Sequence, residues 1–81
     1  MTELTMKELI GYIAKALVDQ PEEVEVSEIE GEHSLVIELK VAKSDMGRII
    51  GKQGHTATAM RTVLNAASRK IKKNAVLEII E

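Results

Sequence analysis

The 81-residue chain has no cysteine, tryptophan or phenylalanine, and only one tyrosine and one proline. Without cysteine, neither a disulfide framework nor a thiolate-ligated metal centre can form. With Tyr12 as the sole aromatic, a recognition surface of stacked rings is excluded, and with it the roughly 1–3 kcal/mol per base that stacking supplies. No apolar run approaches the roughly 20 residues that cross a bilayer. Residues 1–5 lack the basic start and apolar stretch of a secretory signal. A reducing, cytoplasmic setting without membrane contact is expected. A chain this short buries roughly 60–65% of its unfolded surface, which leaves room for one core and one domain over residues 1–81.

The net charge of −2 hides two opposed segments. Residues 1–42 carry Lys7, Lys15 and Lys40 against ten carboxylates, a net of −7. Residues 43–73 carry eight cations against Asp45 alone, a net of +7. Solvent screens exposed charges beyond about 8–10 Å, so the distribution matters more than the total. The basic segment suits a polyanion, and the acidic one repels it, which favours a single docking face.

Thr5-Met6-Lys7-Glu8 has the form of a capping box. Met6, Leu9, Ile10, Ile13, Leu17 and Val18 follow at helical spacing. They predict a helix over 6–19, which Pro21 stops by pushing Gln20 out of the α region. Residues 22–30 alternate acid and apolar and predict a strand with a wet, negative face; its acids lack a calcium-loop pattern. After a turn at Gly31-Glu32, residues Leu35, Ile37, Leu39 and Val41 share one face of a second, central strand. Ser44 or Asp45 is expected to cap a short helix over 46–50 that Gly51 ends. Thr56 is expected to cap the longest helix, which reaches about Lys72 with Ala57, Met60, Leu64, Ala67 and Ile71 as its buried stripe. A strand over 76–80 closes the chain. The order α-β-β-α-α-β joins the last two strands by a helical crossover, so they can pair in parallel. The class is α+β: a three-stranded mixed sheet with three helices on one face.

Gly47-Arg48-Ile49-Ile50-Gly51-Lys52-Gln53-Gly54 stands in the basic segment, between the two predicted helices. No side chain at Gly51 or Gly54 keeps a phosphate from the backbone, and Lys52 adds positive charge there. A nucleotide P-loop is excluded: the glycine spacing is one residue short, and Gln53 replaces the hydroxyl that would hold magnesium. The dinucleotide fingerprint fails because no Gly-x-Gly occurs. His33 and His55 have no partners at matching spacing, so no catalytic or metal site is expected. Nor is any cofactor or small-molecule substrate.

In this element order, Ile49-Ile50-Gly51-Lys52-Gln53-Gly54 resembles the motif of the K-homology (KH) family in its bacterial, type II arrangement: a hydrophobic pair followed by a Gly-x-x-Gly loop between helices. The resemblance spans nearly the whole chain. In length the chain is similar to the small single-KH RNA-binding proteins of bacteria. The resemblance implies the type II KH fold, no enzyme activity, and a clamp on about four nucleotides of single-stranded RNA. By position, Gly51 and Gly54 would admit phosphates to backbone N–H groups, Lys52 would add a cation, and Gln53 an uncharged hydrogen-bonding group. His55 would open a helix whose dipole favours an anion, and Arg48 and Arg61 would extend the positive track. Ile49 or Ile50 would form an apolar floor for bases. Arg69 and Lys70, two or more turns past the loop, are expected to matter less. The resemblance also implies an RNA chaperone or post-transcriptional regulator linked to cell elongation and division, acting as a homodimer or with a larger KH-containing protein. A dimerising module with RNA binding secondary is the alternative. Two positions depart from the family's habit: Gln53 replaces a residue often basic, and Ala57 a larger aliphatic one.

Overall fold

The computed structural model describes residues 5–81, so the reading of residues 1–4 as free of a secretory signal lies outside it. Thr5 opens helix α1 (Met6–Leu17) with the expected capping box. Its hydroxyl accepts the Glu8 N–H at 3.1 Å, and the Glu8 carboxylate accepts the Thr5 N–H at 3.4 Å. The first bond satisfies one of the donors that a helix start leaves without an intrahelical partner. α1 ends two residues earlier than its spacing predicts, because Val18 is already extended at ψ 161°. Ile10 and Ala14 form its buried face, with Met6 and Ile13 packed beside them. Leu17, expected in that stripe, is exposed.

Residues 21–23 correct the strand prediction. Pro21–Glu23 form a single 3₁₀ turn, since proline's fixed φ suits a first helical position. Strand β1 is therefore Glu25–Glu30. Strand β2 (Ser34–Lys40) is central, antiparallel to β1 and parallel to β3 (Asn74–Ile80). The crossover between β2 and β3 contains α2 (Met46–Ile50) and α3 (His55–Ile71). The order α-β-β-α-α-β and the mixed sheet are those the sequence predicts.

Leu35, Ile37 and Leu39 alternate inward from β2 and pack with Ile10, Val41, Ile49, Met60, Leu64 and Leu77. Burying each such side chain contributes roughly 1.5–3 kcal/mol. On α3 the stripe begins as predicted with Ala57, Met60 and Leu64, then continues through Ser68 rather than Ala67 and Ile71. The Ser68 hydroxyl donates to the Asn65 carbonyl at 2.8 Å, which removes the penalty of burying it.

Among the described residues, no helix covers the other face of the sheet. Ile29, Val36 and Val76 are cross-strand partners there, with Ile29 58% and Val76 48% exposed. Glu25, Glu28 and Glu30 line edge strand β1, and charges on an edge discourage strand-to-strand addition.

Candidate nucleic-acid interface

The α2–α3 connection is a turn that only glycine can make at its first corner. Gly51 ends α2 at φ 76° and ψ 171°, a region essentially closed to other residues. A Cβ there would lie 2.2 Å from Thr56 Oγ1 and 2.9 Å from the Thr56 backbone nitrogen. Gly51 thus lets the end of α2 touch the start of α3. Gln53 (φ 57°) and Gly54 (φ 75°) are both left-handed. A Cβ at Gly54 would meet nothing within 4 Å, so this corner stands open.

The amides of the turn fall into two groups. Gly51 N–H donates to the Gly47 carbonyl at 2.9 Å, and Gly54 N–H to the Gly51 carbonyl at 3.0 Å. The two glycine amides are therefore occupied. Among the described residues, no loop or cap hydrogen bond uses the amides of Lys52 and Gln53 between them. Thr56 does not cap α3: the N-cap is Gly54, no side chain caps it, and Thr56 lies within the first turn. The positive end of a 17-residue helix stays open beside the glycine turn.

Lys52, Gln53 and His55 are exposed around this turn. The isoleucine pair divides its tasks. Ile49 is fully buried in the core, whereas Ile50 is 40% exposed. Of the pair, only Ile50 offers an apolar surface to solvent, and Ile49 packs α2 into the core. Arg61 is exposed on α3, with Nη2 donating to the Leu77 carbonyl of edge strand β3 at 3.5 Å. Asn65 and Lys72 continue that exposed flank. Arg69 and Lys70 occupy the last turn of α3, where cations complement the negative end of the helix dipole. Lys73 pairs with Glu30. Tyr12 stands on α1 beside Val24 and Val26, on the side of edge strand β1.

One residue absent from the sequence-based site, Asp45, sets its frame. Asp45, expected as a cap for α2, makes no capping bond there. It is 1% exposed, and its two carboxylate oxygens accept the backbone N–H groups of Asp19 and Gln20, each at 3.1 Å. Gln20 Nε2 also donates to Ser44 Oγ at 2.9 Å. The end of α1 is thereby tied to the start of α2. Arg48 joins the same junction: its Nη2 lies 3.0 Å from Asp19 Oδ2, and its Nε 4.0 Å from Asp45 Oδ1. The one sequence signal for this junction was Asp45 standing as the lone acid of the basic segment.

Among the described residues, no group of three or more His, Asp and Glu could hold a metal ion. No helix among them is long and apolar enough to cross a membrane.

The α-β-β-α-α-β order, the mixed sheet and the Gly-x-x-Gly turn between α2 and α3 define a type II KH domain. A profile of the family described as KhpA/KhpB, KH domain, matches residues 7–79, and the chain belongs to that family. It is similar to the RNA-binding protein KhpA of Clostridium acetobutylicum, with 59% identity over 75 residues, 93% of this chain and 100% of that protein. The RNA-binding protein KhpA of Aquifex aeolicus is 51% identical over 76 residues, 94% of this chain and 96% of that protein. That of Chlamydia pneumoniae is 49% identical over 76 residues, covering 94% and 97%. Aquifex aeolicus Era bound to GDP.AlF4- superposes with a TM-score of 0.60 at 22% identity, over 98% of this chain and 32% of that one. That likeness is one of fold.

Proposed function

We propose that this protein binds single-stranded RNA at the turn Gly51–Gly54, flanked by Ile50, His55 and Arg61. The observation that carries the reading is the open corner at Gly54 beside the uncapped start of α3. Phosphate is received there by the amides of Lys52 and Gln53, by the Lys52 ammonium and by the positive end of α3. A base lies against Ile50. With no aromatic at the turn, affinity rests on phosphate contact and aliphatic packing, so sequence selectivity is low. The relatives named RNA-binding protein KhpA support this reading. We extend the proposal to a role as an RNA chaperone or post-transcriptional regulator linked to cell elongation and division, as the resemblance to small single-KH proteins implies.

Titration of a mixed single-stranded RNA pool at several salt concentrations tests the clamp. Four neutralised phosphates give a slope of about −3 in log K against log salt. Lys52→Asp combined with Gln53→Asp is expected to abolish binding while circular dichroism stays unchanged. Equal binding by both proteins overturns the clamp.

A second reading, pairing with another KH chain, is favoured by the apolar row Ile29–Val36–Val76 on the uncovered sheet face. Pairing gains affinity through multivalency, since one unit holds few nucleotides. The expected result is a mass by light scattering that doubles between low and high micromolar concentration, and a constant monomer mass counts against the homodimer.

A further inference from the structure

We infer that Asp19 is an internal competitor for RNA: its carboxylate occupies Arg48, and a backbone phosphate must displace it for Arg48 to join the positive track. The inference rests on the RNA reading above.

The geometry is specific. Asp19 lies in the acidic segment, 29 positions before Arg48, yet its Oδ2 sits 3.0 Å from Arg48 Nη2. Asp19 is not there by side-chain chance. Its own backbone N–H is held by the buried Asp45 carboxylate at 3.1 Å, and the next amide by the other oxygen of the same group. Asp45 therefore fixes where the Asp19 side chain starts. It also faces Arg48 itself, with Oδ1 4.0 Å from Nε. Arg48 thus meets one carboxylate that is locked and one that is free to leave.

Exposure decides that Asp19 can leave. The Arg48 and Asp19 side chains are 57% and 69% exposed, and ion pairs in such solvent are weak. A phosphodiester presents the same two-oxygen geometry to a guanidinium and binds it as a charge-assisted fork. Exchange of carboxylate for phosphate keeps Arg48 paired throughout, so a polyanion gains from Arg48 only the difference between two similar contacts. Asp19 thereby holds down affinity for any passing polyanion. RNA that also fills the glycine turn can draw on Arg48, and anions that miss the turn gain little.

The test is a double-mutant cycle on RNA affinity at low salt, using the full chain with Asp19→Asn, Arg48→Gln and both together. Asp19→Asn keeps the backbone bond to Asp45, and thermal melting monitors the fold of every variant. Asp19→Asn is expected to tighten RNA about two- to fivefold when Arg48 is present, and to steepen the salt slope by about 0.7. In the Arg48→Gln background the gain falls to that of the net-charge control. Glu22→Gln, which removes an exposed carboxylate of the neighbouring turn, controls for net charge and is expected to give less than half that gain. An equal gain with and without Arg48, or no gain with Arg48 present, overturns the inference and leaves the RNA reading standing. Failure of both the unaltered protein and Asp19→Asn to bind RNA overturns the RNA reading, and this inference with it.

Discussion

Gly51→Ala should lower the unfolding free energy by about 2–4 kcal/mol, and RNA binding should fall with it. The added Cβ would lie 2.2 Å and 2.7 Å from Thr56 Oγ1 and Cβ, and 2.9 Å from the Thr56 nitrogen. Thr56 cannot yield. Its β-branched side chain has few rotamers in a helix, and its nitrogen belongs to the first turn of α3. The backbone adds a second obstacle, since φ 76° with ψ 171° is closed to alanine. α2 and α3 must part or the turn must refold, and either change displaces the Lys52 and Gln53 amides. Gly54→Ala is the internal control. Its left-handed backbone costs about 1–2 kcal/mol, but the space around it is empty. Urea denaturation of both variants measures the order directly. A Gly51→Ala protein as stable as Gly54→Ala would mean that the close approach of Thr56 is not what fixes the turn.

This corner was legible in the sequence because its cause is local. A glycine after a short predicted helix announces a positive φ, and the structure places Gly51 there. β2 was legible for a similar reason: strict alternation leaves one way to bury Leu35, Ile37 and Leu39. The departures have both local and long-range causes. Residue type favours Ala67 and Ile71 over the polar Ser68, yet the Ser68 bond to Asn65 lets it follow Leu64 into the core. By residue type Thr56 is a cap, whereas the left-handed pair Gln53–Gly54 already opens α3 two residues earlier. The split between Ile49 and Ile50 needs the phase of α2 against the sheet, which five residues are too few to reveal. The bonds from Asp45 to Asp19 and Gln20 span 26 and 25 positions, and no periodicity encodes them.

That long-range tie has the larger expected effect on the fold. Asp45→Ala should destabilise the protein by about 2–5 kcal/mol, because it strands the backbone N–H groups of Asp19 and Gln20 at roughly 1–3 kcal/mol each. An 81-residue domain has about 4–12 kcal/mol in total, so the loss takes a large share of its stability. The effect does not come from the ion pair. Arg48 Nε is 4.0 Å away and its side chain is half exposed, which makes that contact worth little. Asp45→Asn separates the two contributions. Its amide oxygen can still accept one N–H, but its NH₂ group faces the other donor to donor. It should therefore fall between Asp45→Ala and the unaltered protein in denaturant melts. Arg48→Gln should change stability by less than about 1 kcal/mol. If Arg48→Gln instead destabilises as much as Asp45→Ala, charge pairing rather than backbone capture joins α1 to α2. The distinction bears on binding, because α2 carries Ile50 and leads into Gly51. An α2 released from the end of α1 presents the glycine turn at no fixed angle to α3. Folded Asp45→Ala protein, stabilised by cooling or by an osmolyte, is accordingly expected to bind RNA more weakly than Asp45→Asn.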